Sequence, residues 1–233
     1  MAENESPFRR RHFLLGALGA LGAAELAGEG LIAPAWAQSQ PNYQPSYFTD
    51  QEWGFLQAAV ARLIPADEVG PGALEAGVPE FIDRQMDTEY GHGGLWYLQG
   101  PYNTNVPATL GYQYGYNPRD LYRTGIRDVE DWCSKTYNKA FSALDAAQQD
   151  ELLSRLEHGK VSLPHIGAVT FFSQLLANTK EGYFADPMYG GNKDMAAWKM
   201  IGFPGARADY ADWVQRPNEP YPLGPVSILG EKG

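Results

Sequence analysis

Cysteine is nearly missing: Cys133 stands alone in 233 residues. No disulfide can close within such a chain. A c-type haem needs Cys-x-x-Cys-His and an iron–sulfur cluster needs several thiolates, so neither has its ligands in this sequence. Histidine is scarce too, with four in all. Beyond the N-terminal region, His92, His158 and His165 are too far apart to place two imidazoles on one metal at i+2, i+3 or i+4. They read as surface or loop side chains. No Gly-x-Gly-x-x-Gly opens a helix. The nearest glycine spacing, Gly16-Ala17-Leu18-Gly19, is wrong for a dinucleotide and lies in the N-terminal segment. No Gly-x-Ser-x-Gly elbow offers a nucleophile. Basic residues are outnumbered, 18 against 28 acidic, for a net charge of −10. That balance excludes nucleic acid as a partner, because phosphate binding depends on clustered Lys and Arg. Asp128, Glu130 and Asp131 form the densest acidic group, and they read as a solvated helix face. Strand-like alternation is absent, so the expected fold is mainly α.

The N-terminus supplies what is present. Arg9, Arg10 and Arg11 precede an apolar, Gly/Ala-rich run, and Ala35-Trp36-Ala37 is a small-x-small cleavage site. Arg10 and Arg11, one residue, then Phe13 and Leu14 match a twin-arginine export signal. Glu25 and Glu29 interrupt the apolar run, which a spanning helix of about 20 residues would not tolerate well. The expectation is a cleavable signal over residues 1–37 and one mature domain over 38–233, delivered to the periplasm. The twin-arginine route carries folded proteins, so the mature chain either holds a cofactor or travels with a partner that does. No cofactor motif is visible, which points to the partner.

The mature chain reads as helices separated by long Gly/Tyr/Pro-rich loops. Thr49 and Glu52 form a capping box for a helix running to Ile64, ended by Pro65. A short helix spans Pro79 to about Asp87. Residues 90–117 show no period and read as a long functional or partner-covering loop. From Pro118, Tyr122, Ile126, Val129, Cys133 and Tyr137 recur on one helix face. Asp145 with Gln148 caps a helix through Leu156, with Gly159 past its end. Another runs from His165 to Lys180 through Val169, Phe172, Leu175 and Leu176, with Gly182 as its C-cap. Asp194–Met200 is short and helical, and the tail from Phe203 is extended. Cys133 has two readings: a buried apolar thiol, or an intermolecular bridge in an oxidising compartment.

The stretch Phe184-Ala185-Asp186-Pro187-Met188-Tyr189-Gly190-Gly191-Asn192-Lys193-Asp194-Met195-Ala196-Ala197-Trp198-Lys199-Met200-Ile201-Gly202-Phe203-Pro204-Gly205 resembles the hallmark of the gluconate 2-dehydrogenase subunit 3 family. Leu63 to Ala73, Val78 to Asp83 and the twin-arginine signal fit the same family. The resemblance implies a complex at the periplasmic face of the inner membrane. A large FAD-containing subunit oxidises gluconate to 2-dehydrogluconate, and a multi-haem cytochrome c subunit passes the electrons to ubiquinone. The small subunit, without catalytic residues, cofactor or metal of its own, matures the flavoprotein and takes it through the twin-arginine translocon. Sister complexes oxidise fructose, sorbitol, glucose or 2-ketogluconate. Within the hallmark, Asp186, Pro187, Tyr189, Gly190, Gly191, Asn192, Trp198, Phe203 and Pro204 form a candidate partner interface, since aromatic groups dominate such surfaces. The competing reading is a loop that merely closes the helical core. Cys133 becomes a candidate inter-subunit disulfide. Two functions of other classes stay open: a free-standing periplasmic enzyme, which would need a catalytic set, and a ligand-binding module using the 90–117 loop.

Overall fold

A computed structural model describes residues 43–233, apart from the side chains of Ala108 and Tyr210. The candidate export signal (Arg10, Arg11, Phe13, Leu14) and cleavage site (Ala35, Ala37) lie outside the described residues. Within them the chain is mainly helical, with six α-helices: α1 Asp50–Leu63, α2 Val78–Met86, α3 Pro118–Tyr137, α4 Ala146–Glu157, α5 Ala168–Phe184 and α6 Ala196–Ile201. No strand occurs among these residues, only isolated bridges that join Val226 to Gly205 and to Lys232.

Local chemistry sets most of the boundaries. Thr49 accepts from the Glu52 N–H while Glu52 reaches back to the Thr49 N–H, completing the expected capping box. Asp145 and Gln148 repeat the device at α4. Asn117 accepts from the Asp120 N–H, and Pro118 sits at the first position of α3, where no N–H is needed.

The fifth helix departs from expectation at both ends. It begins at Ala168 rather than His165, because a side chain on α3, Asp128, captures the His165 backbone N–H at 3.0 Å and holds that residue outside the helix. It continues to Phe184, so Gly182 is interior and not a C-cap. Gly182 is there for close approach: a Cβ would lie 2.7 Å from Phe81 Cδ1 on α2. Val169, expected on the core face, is exposed, while Phe171, Phe172 and Leu175 are buried.

The core forms around α5, which packs most extensively on α2 and α4 and also touches α1, α3 and α6. Phe171 stacks against Phe55 of α1 at 6.0 Å and Tyr122 of α3 at 6.3 Å. Phe55 also meets Phe141 at 4.9 Å. Fully buried side chains of this size each contribute about 2 kcal/mol through lost contact with water. On the expected face of α3, Tyr122, Ile126, Val129 and Cys133 are buried, and Tyr137 at the helix end is half-buried. Asp128 and Glu130, expected on a solvated face, are buried as well. Neighbouring segments cover them: the Asp128 carboxylate takes the N–H and Nδ1 of His165, and Glu130 takes the N–H of Phe141 at 3.1 Å. Of that trio only Asp131 is exposed.

Residues 43–48 are seated by one carboxylate. Asp83 of α2, fully buried, accepts from the Tyr43 hydroxyl, the Ser46 N–H and hydroxyl, and the N–H groups of Tyr47 and Phe48. The long loop between α2 and α3 is irregular, as its composition predicts, apart from a single 3-10 turn at Ala108–Leu110. Its beginning is anchored by Tyr90, whose hydroxyl accepts from Gln174 and from Asn178 of α5. Its end is anchored where Tyr112 packs on Trp96 at 4.8 Å and donates to the Tyr116 carbonyl at 2.9 Å.

Replacing Asp83 by alanine leaves three backbone N–H groups without their acceptor. We expect a loss of about 3 kcal/mol, read by urea denaturation, whereas Asp83→Asn, which keeps one carbonyl acceptor, loses less.

Candidate functional site

The hallmark segment begins where α5 ends. Ala185 turns extended, and the Asp186 carboxylate accepts from the Met188 N–H at 3.1 Å and, with its other oxygen, from the Ile228 N–H at 2.7 Å. One buried acid thus fixes both the turn and the incoming C-terminal tail. A 3-10 turn, Pro187–Tyr189, follows and closes at Gly190 with φ +94°. Only glycine takes that conformation without strain. Gly191 then lies directly on α5, where a Cβ would come 2.1 Å from the Gly182 carbonyl oxygen.

The next residues hold an unusual backbone. Asn192, Asp194 and Met195 all have positive φ, at 43°, 57° and 52°. Asparagine and aspartate tolerate this region, but methionine does not favour it. Surrounding bonds over-determine the conformation. Asn192, fully buried, donates to the Ala185 carbonyl at 3.0 Å and accepts from the Ala197 N–H at 2.9 Å. The Lys193 N–H bonds the Ala76 carbonyl, and Lys193 Nζ pairs with the buried Glu80 of α2 at 2.7 Å. Arg84 pairs with the other Glu80 oxygen. Strain of this kind persists where the surroundings enforce it and clusters at functional segments.

From there α6 presents Trp198, whose indole Nε1 donates to the Phe184 carbonyl at 2.8 Å. Phe203 stacks edge-on against Trp198 at 5.1 Å. Pro204 is buried and its carbonyl accepts from Val226.

The nine expected interface residues therefore divide. Asp186, Gly190, Gly191, Asn192, Trp198 and Pro204 are buried and hold the segment in shape, and Pro187 is half-buried. Tyr189 and Phe203 are presented outward, with 43% and 45% of their surface exposed. Sequence reasoning missed four apolar neighbours exposed on the same stretch: Phe184, Met188, Met200 and Ile201. Their signal was available only as large apolar residues at the two ends of short helical turns, where one side must face out.

Cys133 lies on the inner face of α3 with none of its surface exposed, and it is not in a disulfide. Burial, aided by the neighbouring Glu130 charge, pushes the thiol up to about 12. In the fold as it stands, a second chain cannot reach the sulfur. Glu130 is itself unusual. Its Oε1 is buried with no hydrogen-bond partner among the described residues. Burial raises its carboxyl above the ordinary glutamate range, against the opposing pull of the Phe141 N–H.

Among the described residues, no group of three or more His, Cys, Asp and Glu side chains could hold a metal ion. His165 Nδ1 lies 2.8 Å from Asp128 and 3.1 Å from Arg127. Neither partner carries a hydroxyl or thiol, so no Ser–His or Cys–His pair forms here, and Asp128 also takes the His165 N–H at the entry to α5. No described helix is long and apolar enough to cross a membrane.

Two expectations follow. Cys133 should react with a thiol reagent only when the chain is unfolded, and Cys133→Ala should leave the non-reducing gel pattern of the purified protein unchanged. For Glu130 the sign is fixed by the direction of its shift. The folded state binds this proton more tightly than the unfolded state, so stability is highest below the ordinary glutamate value and falls as pH rises through the raised one. Urea melts across that window should show the loss in wild type, and Glu130→Gln should abolish it.

The model of a family described as gluconate 2-dehydrogenase subunit 3 matches residues 50–205. No curated protein and no solved structure matches the chain.

Proposed function

The chain belongs to the gluconate 2-dehydrogenase subunit 3 family, and from that premise we propose that it is the non-catalytic small subunit of a membrane-bound, FAD-dependent gluconate 2-dehydrogenase. In this reading the large subunit carries FAD and oxidises gluconate to 2-dehydrogluconate. A multi-haem cytochrome c subunit takes the electrons on to ubiquinone. The small subunit helps the flavoprotein mature and lends it the twin-arginine signal of Arg10 and Arg11. The complex then works at the periplasmic face of the inner membrane.

One observation carries the proposal. Six large apolar side chains, Phe184, Met188, Tyr189, Met200, Ile201 and Phe203, are exposed within a single short stretch. Buried hydrogen bonds and the Glu80–Lys193 ion pair hold that stretch in a strained form. A loop that only closed a core would turn such side chains inward. Aromatic residues and methionine, held rigid and exposed together, are what a stable protein interface uses.

The test is co-purification of the tagged full-length chain, expressed with the neighbouring genes, beside the Arg10→Lys/Arg11→Lys variant. We expect a flavoprotein and a haem protein to accompany the wild type. The double variant should strand the flavoprotein in the cytoplasm. A chain that purifies alone, with the flavoprotein exported regardless, removes the proposal.

A further inference from the structure

The family match ends at residue 205, but the apolar surface does not. Residues beyond it fold back over α6. The tail is pinned there by the Val226 N–H on Pro204, the Ala206 N–H on Val226, and the Ile228 N–H on buried Asp186. Between α6 and the tail lies an open groove of about 810 Å³. One wall is Trp198 and Phe203, from inside the matched region, and the other runs from Trp213 to Pro225, outside it. The outer wall is stiff for two reasons. Pro217, Pro220, Pro222 and Pro225 all line it, and proline fixes φ. Trp213 and Tyr221 pack edge-on at 5.5 Å, with the Arg216 guanidinium 4.4 Å over the Trp213 ring. Val214 and Leu223 remain exposed at 68% and 48%.

We propose that this groove receives an uncharged, apolar element of the FAD-containing subunit, and that its outer wall discriminates the cognate large subunit from those of sister complexes. The inference rests on the assignment of this chain as the small subunit of such a complex. The groove is continuous with the exposed hallmark through Trp198 and Phe203, so one partner covers both. Its charged lining consists of Lys199, Arg216 and Glu219, and the last two face each other at 4.0 Å. That balance gives an acidic or basic segment little to pair with, while the aromatic rings and prolines suit bulky apolar side chains. The groove volume lies within the few hundred to about 1,000 Å³ that buries a compact apolar group. A rigid wall loses little entropy when the group enters. The outer wall lies outside the matched residues, and it is there that we place the difference in affinity between cognate and sister partners.

The experiment compares full-length wild type, Val214→Asp, Leu223→Asp and Tyr189→Asp, each tagged and co-expressed with the other subunits. A parallel set uses the large subunit of a sister complex. Both tail positions are exposed, so their variants should melt at the wild-type temperature. We expect Val214→Asp and Leu223→Asp to lower retention of the cognate flavoprotein about tenfold, and retention of the sister flavoprotein by less than twofold. Unchanged cognate retention, with Tyr189→Asp still reducing it, overturns the groove but leaves the small-subunit assignment standing. Equal loss with both flavoproteins overturns the discriminating role. Wild type that retains no flavoprotein overturns the assignment and this inference with it. If instead the isolated chain is a dimer that the tail variants split, with flavoprotein retention unchanged, the groove belongs to a second copy and the inference fails.

Discussion

The Asp83 carboxylate is the point on which the arrangement of α1, α2 and α3 turns. A fully buried acid is costly unless donors surround it, and here they come from the segment that precedes the first helix. Seating that segment brings Phe48 against Tyr122 at 5.6 Å and places the Tyr47 ring beneath Arg119 and Arg123, at 4.2 and 4.5 Å. Those two arginines then reach in different directions. Arg119 bonds the Met86 carbonyl and Asp87 at the end of α2, while Arg123 pairs with Glu52 in the capping box of α1. A single desolvated charge on a nine-residue helix thus sets how three helices enter the core.

The second organising acid, Glu80, lies one turn earlier on α2 and faces the hallmark segment. Through Lys193 it ties α2 to the strained residues 192–195, while Arg84 pairs with it within α2. Asn192 and Trp198 complete the tie to the end of α5. The apolar side chains that remain outside are therefore displayed on a scaffold with few internal freedoms. A surface of this kind keeps its shape before a partner arrives, which lowers the ordering cost of association.

The helices were legible in the sequence where their ends are written in local chemistry. Thr49 with Glu52, Pro118, and Asp145 with Gln148 are short-range signals that tertiary packing did not override. Gly182 was not legible in the same way. A glycine near a helix end reads as a cap unless the partner is known, and its partners, Phe81 and Gly191, lie far off in sequence or across a turn. Asp128 and Glu130 failed for a related reason. A helical wheel records which side chains share a face but not which later segments will cover it, and the covers here are the loops carrying His165 and Phe141. The hallmark was visible as a pattern, yet its division into buried tethers and displayed side chains depends on long-range bonds such as Asp186 to Ile228. The tail's groove was invisible, since prolines and glycines announce only that a chain is irregular.

The long loop between α2 and α3 has a practical consequence. Tyr90 is tied to α5 through Gln174 and Asn178, and Trp96 bridges Tyr90 to Tyr112, at 6.1 and 4.8 Å. Beyond Trp96, residues 101–105 are exposed. Because the closure cost of a flexible loop rises only slowly with length, the span 101–105 can be rewritten or lengthened with little effect on the core. It is the natural port for a fluorophore, an affinity tag or a small reporter domain, far in sequence from the displayed hallmark.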